Sequence, residues 1–159
     1  MARETKSVGW ITKALLGFIS GFLATLIFHQ LVLALMWGMD FAPYKPFNLS
    51  PTNPFGIPAV ISLAFWGGIW GILFALIQGG FPRGVGYWLT AFVFGGIAAS
   101  LVALVIVLPL KGQPMGGGWH PSMLLRAFII NGAWGIGTGL FFKGFVSWLG
   151  RSGIVRAGT

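Results

Sequence analysis

Four long stretches of this chain carry no charged residue, and they constrain its fold more than any other feature. No Asp, Glu, Lys or Arg falls within residues 14–39, 46–82, 84–110 or 127–142. A bilayer core roughly 30 Å thick is crossed by about 20 apolar residues in a helix. The first three stretches reach that length directly. The fourth reaches it because Arg126 and Lys143 can snorkel from its ends. Composition agrees: 56% of the residues are hydrophobic and 8% charged, against about 25% charged in soluble domains. A water-soluble domain is thereby excluded, and so is a disordered chain. The pattern predicts an all-α polytopic membrane protein, a single integral domain over residues 1–159. Its four helices are expected at about 13–39, 57–79, 86–110 and 122–149, with outer loops at 40–56 and 111–121.

The net charge of +8 suggests nucleic acid at first sight. Ten cations scattered among so many apolar residues cannot form a nucleic-acid face, so they are read as a topology signal. With both termini on one side, that side holds Arg3, Lys6, Lys13, Arg83, Lys143, Arg151 and Arg156, and the other holds Lys45, Lys111 and Arg126. The positive-inside rule then places both termini in the cytoplasm. Trp10, Tyr87, Trp88 and Trp148 fall near the inner interface, and Trp37, Tyr44 and Trp119 near the outer one, as an aromatic belt requires. The first apolar run is much longer than the ~7–15 residues of a signal-peptide core, so it is read as an uncleaved anchor. With no cysteine in the chain, disulfides and thiol chemistry are excluded.

Apolar helices gain little by meeting in lipid, and small residues let their backbones pack closely. Such residues recur at i, i+4 in every predicted helix: Gly17-xxx-Gly21-xxx-Thr25, Gly67-xxx-Gly71-xxx-Ala75, Ala91-xxx-Gly95-xxx-Ala99-xxx-Ala103, and Asn131-xxx-Gly135-xxx-Gly139. The second and fourth helices carry more glycine than one seam uses (Gly67-Gly68, Gly137), which fits either tight packing within one four-helix bundle or a second face docking on another chain. They also share a pattern, Gly68-Ile-Trp-Gly-Ile72 and Gly132-Ala-Trp-Gly-Ile136, placing Trp70 and Trp134 at mid-membrane. A weaker match, Gly21-x-x-Ala24 with Gly95-x-x-Ala98, extends this to two helical hairpins in parallel repeat.

The intramembrane polar inventory is short, and His29 is its ionisable member. It lies at i+4 from Thr25 and i+8 from Gly21, so helical periodicity aims it at a neighbouring helix. Gln30, Asn131 and Thr138 are expected to make interhelical hydrogen bonds. The outer loops are the unusual soluble parts. Residues 40–58 hold five prolines and three phenylalanines, and residues 111–121 end in Trp119-His120-Pro121. Tyr44, Phe47, Phe55, Trp119 and His120 are the candidate outer-loop contacts to a membrane surface or partner. Asp40, Lys45 and Arg126 are expected to be solvated near the outer interface. No carboxylate pair, metal cluster or Ser-His-Asp set is visible, so no enzyme site and no metal are predicted. The Gly-x-Gly runs at 84–86 and 135–139 follow no strand and are no nucleotide fingerprint.

Three segments together resemble small uncharacterised bacterial inner-membrane proteins of the YagU-like kind: Gly17-Phe-Ile-Ser-Gly-Phe-Leu-Ala-Thr25, Gly67-Gly-Ile-Trp-Gly-Ile-Leu-Phe-Ala-Leu76, and Val107-Leu-Pro-Leu-Lys-Gly112. They cover three of the four helices. The resemblance implies a four-helix inner-membrane protein and brings no catalytic residues.

The expected function is a non-catalytic accessory or scaffold subunit. Gly17, Gly21, Gly67, Gly71, Gly95, Gly135 and Gly139 would pack against its own helices, other integral membrane subunits or a second copy, with membrane lipids around them. A reading from another class is a small channel or carrier for a neutral or lipid-like solute, lined by Gln30, Asn131 and Thr138. A third is haem or chlorophyll ligation by His29, with no cofactor besides lipid expected otherwise.

Overall fold

The computed structural model describes residues 8–152. Among these residues four helices are long and apolar enough to cross a membrane: α1 (Trp10–Gly38), α2 (Ala59–Gly80), α3 (Val85–Leu110) and α4 (Pro121–Arg151). Their bounds lie within three residues of the expected ones. Arg3, Glu4, Lys6 and Arg156 of the orientation argument lie outside the described residues. Pro121 opens α4 at a first-turn position, where a missing N–H breaks no helical bond. The loop after α1 also contains a feature the sequence reading lacked, a two-residue antiparallel ladder of β1 (Pro51–Thr52) with β2 (Ile57–Pro58).

Both odd-numbered helices end in the same hydrogen-bonded cap. After α1, Asp40 takes a left-handed conformation and donates to the Trp37 carbonyl, while the Phe41 N–H reaches back to Met36. After α3, Gly112 is left-handed and donates to Pro109, while the Gln113 N–H reaches Leu108. This is the Schellman arrangement, which satisfies carbonyls that a helix end leaves open. Beyond it, Gly116, Gly117, Gly118 and Trp119 are all left-handed in succession. A run of glycines permits such a turn, because a Cβ there crowds the following carbonyl. The ring of Trp119 lies where a Cβ on Gly116 would stand.

The small-residue stripes meet one another inside the chain. A Cβ on Gly17 or Gly21 would run into the backbone of Gly71 or Gly67, and the reverse also holds. In the second hairpin, Gly95 faces the backbone of Asn131 and Gly135, and Gly135 faces the Ala91 carbonyl. The contacts agree in detail: the Phe18 ring covers Gly68, and the Phe92 ring covers Gly132. The expected free glycine face is therefore not met. Gly68 and Gly132 are covered as just described, and Gly137 lies under Phe28 of α1. α4 needs glycine on two sides because it packs on both α1 and α3.

The two hairpins meet asymmetrically. α1 packs closely on α4, where the Trp134 indole bonds the Gly21 carbonyl and Phe28 covers Gly137, and Ser20 and Thr138 of these helices are fully buried. The corresponding positions in α3 and α2 are Phe94 and Phe74, and these helices meet through the ring pairs Trp70–Phe94 and Phe74–Phe94. Small side chains bring one pair of helices together, and rings hold the other pair apart. The outward faces are apolar, with Leu15, Leu35, Trp66 and Leu89 each about 60% exposed or more. Such a surface suits hydrocarbon rather than water.

Candidate functional site

Three wide turns interrupt the helices, and three of the buried polar residues, Thr25, Gln30 and Ser100, lie in or next to them. In α1 residues Thr25–His29 form a π turn, and in α3 residues Gly95–Ala99 and Ala103–Val107 do. A π turn holds one extra residue, which rotates everything after it by about 100°. The α-helical spacing Gly21, Thr25, His29 consequently breaks. Gln30 takes the inward position and is buried, while His29 is half-buried beside it. This corrects the expectation that His29 is the residue aimed at a neighbouring helix. The same shift in α3 replaces the expected stripe Ala99, Ala103 by Ser100 and Leu104.

The α1 turn begins at a shared acceptor. The Gly21 carbonyl accepts the Thr25 hydroxyl at 2.9 Å and the indole Nε1–H of Trp134 at 3.0 Å, besides the Thr25 backbone N–H. Three donors on one carbonyl weaken its hold on the helical ladder, and the π turn starts there. Later in α3, Pro109 has no N–H to offer the preceding turn. The Ala103–Val107 π turn lies immediately before it.

The two shifted residues make the contacts that organise the loop end of the bundle. Gln30 Oε1 accepts the backbone N–H of Phe47, a left-handed residue in the long loop, at 2.6 Å. Its Nε2 lies 3.2 Å from His29 Nδ1. Ser100 Oγ accepts from Asn131 Nδ2 at 2.9 Å, tying α3 to α4. Thr138 donates to the Trp134 carbonyl of its own helix and makes no interhelical bond, against expectation. Arg126 reaches the outer loop from α4. Its Nη1 donates to the Phe41 carbonyl at 2.9 Å and its guanidinium lies 5.8 Å from the Phe41 ring centre. Arg126 therefore pins the start of the long loop to α4, while Gln30 pins its middle to α1.

The candidate loop contacts divide. Tyr44, Phe47, Phe55, Trp119 and His120 are all exposed, whereas Phe41 is engaged by Arg126. At the opposite end, Tyr87 lies in the first turn of α3 and is only 3% exposed. Its ring packs near Gly139 and carries the Lys143 ammonium 3.4 Å from its centre.

The structure brings together Gly17, Gly21, Gly67 and Gly71 in one seam, and Gly95 and Gly135 in another, with Gly139 beside Tyr87. It does not gather Gln30, Asn131 and Thr138 into one site, because each bonds a different partner. Sequence reasoning missed the Trp134 indole bond, Ser100 and the Arg126 clamp. The available signal for the first was a tryptophan at mid-span, whose N–H seeks an acceptor when buried. For the other two there was no signal without the π turns and the loop path. No family model, no curated protein and no solved structure matches this chain.

Proposed function

We propose that this protein is a non-catalytic accessory or scaffold subunit of the bacterial inner membrane, with both termini cytoplasmic. The observation that carries this reading is the loop over residues 40–58. It is fastened at Phe41 by Arg126 and at Phe47 by Gln30, and it is braced by the β1–β2 ladder. A loop held in this way presents its apolar tips in a fixed arrangement, with Phe55 82% and Leu49 71% exposed. Preorganised apolar side chains lose little entropy on docking and suit a protein partner. The glycine seams are closed within the chain, so the partner surface is assigned to this loop and its neighbour, with Trp119 and Met115 exposed there too. The partner is another integral membrane protein.

Purification in mild detergent followed by native mass measurement tests this. A co-purifying membrane subunit that is lost in Phe55→Ser and in Gln30→Ala is expected. A 17.0 kDa monomer alone would overturn the proposal. The cysteine-free chain also makes orientation simple to measure. A single cysteine at Gln113 should react with an impermeant maleimide in intact cells, and one at Gly79 should not.

We also propose that the two hairpins are a parallel internal repeat. The matched seams, the paired Phe18–Gly68 and Phe92–Gly132 contacts and the matched caps support it. Gly71→Val and Gly135→Val should then destabilise the fold alike, by about 3 kcal/mol through overpacking.

A further inference from the structure

We infer that the cleft between the C-terminal ends of α2 and α4 binds an anionic phospholipid through its phosphate. The inference rests on the reading of the helices as membrane spans and is independent of the partner proposal. The cleft has a volume of about 530 Å³ and is lined by Gln78 of α2 and by Phe142, Lys143, Val146, Ser147 and Arg151 of α4. Lys143, Ser147 and Arg151 follow one another at i, i+4 and i+8, so they share one helix face.

Both cations are held in place. The Lys143 ammonium lies 3.4 Å from the centre of the Tyr87 ring and 5.5 Å from that of Trp88. Arg151 Nη1 donates to Ser147 Oγ at 2.8 Å, and the rest of its guanidinium has no partner among the described residues. Asp40 is the one carboxylate among the described residues, and it caps α1 at the opposite end of the bundle. Two positioned cations with no carboxylate beside them among the described residues make a favourable place for an anion. The Gln78 amide and Ser147 hydroxyl can share its oxygens.

The same cleft is walled by Phe142 and Val146, and Trp148 beside it is exposed. An apolar wall beside a pair of cations, at the last turns of two apolar helices, matches a headgroup phosphate with its acyl chain alongside. Basic pockets between helices at the membrane surface recognise such headgroups.

The test is native mass spectrometry of the full chain in mild detergent, titrated with phosphatidylglycerol, phosphatidylcholine or inorganic phosphate. Phosphatidylglycerol should bind in preference to phosphatidylcholine. Lys143→Gln should weaken its binding about fivefold, and the double variant with Arg151→Gln roughly 25-fold, about a factor of five per interfacial cation. Lys143→Arg should retain binding, and the loop-end variant Lys45→Gln/Lys111→Gln should behave as the wild type. If the double variant fails to fold, judged by helix content from circular dichroism, Ser147→Trp at an exposed position fills the cleft with both cations kept. It should abolish the preference. Equal binding of phosphatidylcholine, an equal loss in the loop-end variant, or retention in Ser147→Trp would overturn the proposal. Displacement of the lipid by inorganic phosphate would also overturn it, because the site would then be one for a free anion.

Discussion

Asp40 sits in a left-handed conformation, with φ 56°, at the position where a helix cap usually has glycine. The corresponding position after α3 is glycine. A Cβ in that conformation costs roughly 1–2 kcal/mol, with Asp among the residues that tolerate it best. Asp40→Gly is therefore expected to stabilise the protein by up to about 1 kcal/mol, and Asp40→Val to destabilise it, read as shifts in an SDS-unfolding midpoint. The indole of Trp134 is a second residue-scale test. Trp134→Phe removes the donor to Gly21 and should cost about 1 kcal/mol, within the range of interhelical hydrogen bonds in membranes. Trp70→Phe should cost less, because Trp70 packs on Phe94 by ring contact. Equal losses for the two variants would show that ring volume, not the bond, matters at Trp134.

At the scale of elements, the π turns decide which residues face inward. A continuous α-helix would carry the stripe Gly21, Thr25 on to His29, and the extra residue hands that place to Gln30. Deleting exposed Ile27 removes the extra residue within the turn. The segment then closes as α-helix with Gln30 still inward. Deleting exposed Ile19, in a regular stretch, rotates the rest of α1 by about 100°. The Ile27 deletion is expected to preserve folding and the slow hydrogen exchange of the Phe47 amide, and the Ile19 deletion to lose both. The helices themselves were legible within a few residues, because charge-free length is a local property. The π turns were not. The one in α1 arises where Gly21 is shared among donors from its own helix and from Trp134, more than a hundred residues away.

For the whole molecule, the arrangement follows from side-chain size at the contact between hairpins. α1 and α4 approach closely where Gly21 meets Trp134 and Gly137 lies under Phe28, with Ser20 and Thr138 fully buried in these helices, and Phe94 and Phe74 keep α2 and α3 apart. The α2–α3 link thus joins the pair with the looser contact. Two co-expressed fragments, residues 1–82 and 83–159, should reassociate through the α1–α4 surface and co-purify by a tag on either one. Ser20→Phe should abolish that recovery while leaving Gly17–Gly71 packing within the first fragment intact. Recovery that survives Ser20→Phe would mean that the α1–α4 surface is not what joins the halves. The loop over residues 40–58 belongs to this scale as well. Its composition suggested contact with a surface, but its fixed shape depends on Arg126 and Gln30, which come from different helices.

By itself the sequence determined the solvent this chain suits, the number of helices, their approximate ends and the small-residue stripes along them. Each follows from composition or periodicity within one segment, where hydrophobicity and side-chain volume act locally. Tertiary structure alone decided which stripe meets which and that the surplus glycines close inside the chain. It also decided that Gln30 and Ser100 replace His29 and Ala99, and that Arg126 clamps a loop. Those outcomes depend on hydrogen bonds and ring contacts between residues far apart in sequence. Only the folded bundle brings such donors and acceptors within about 3 Å of each other.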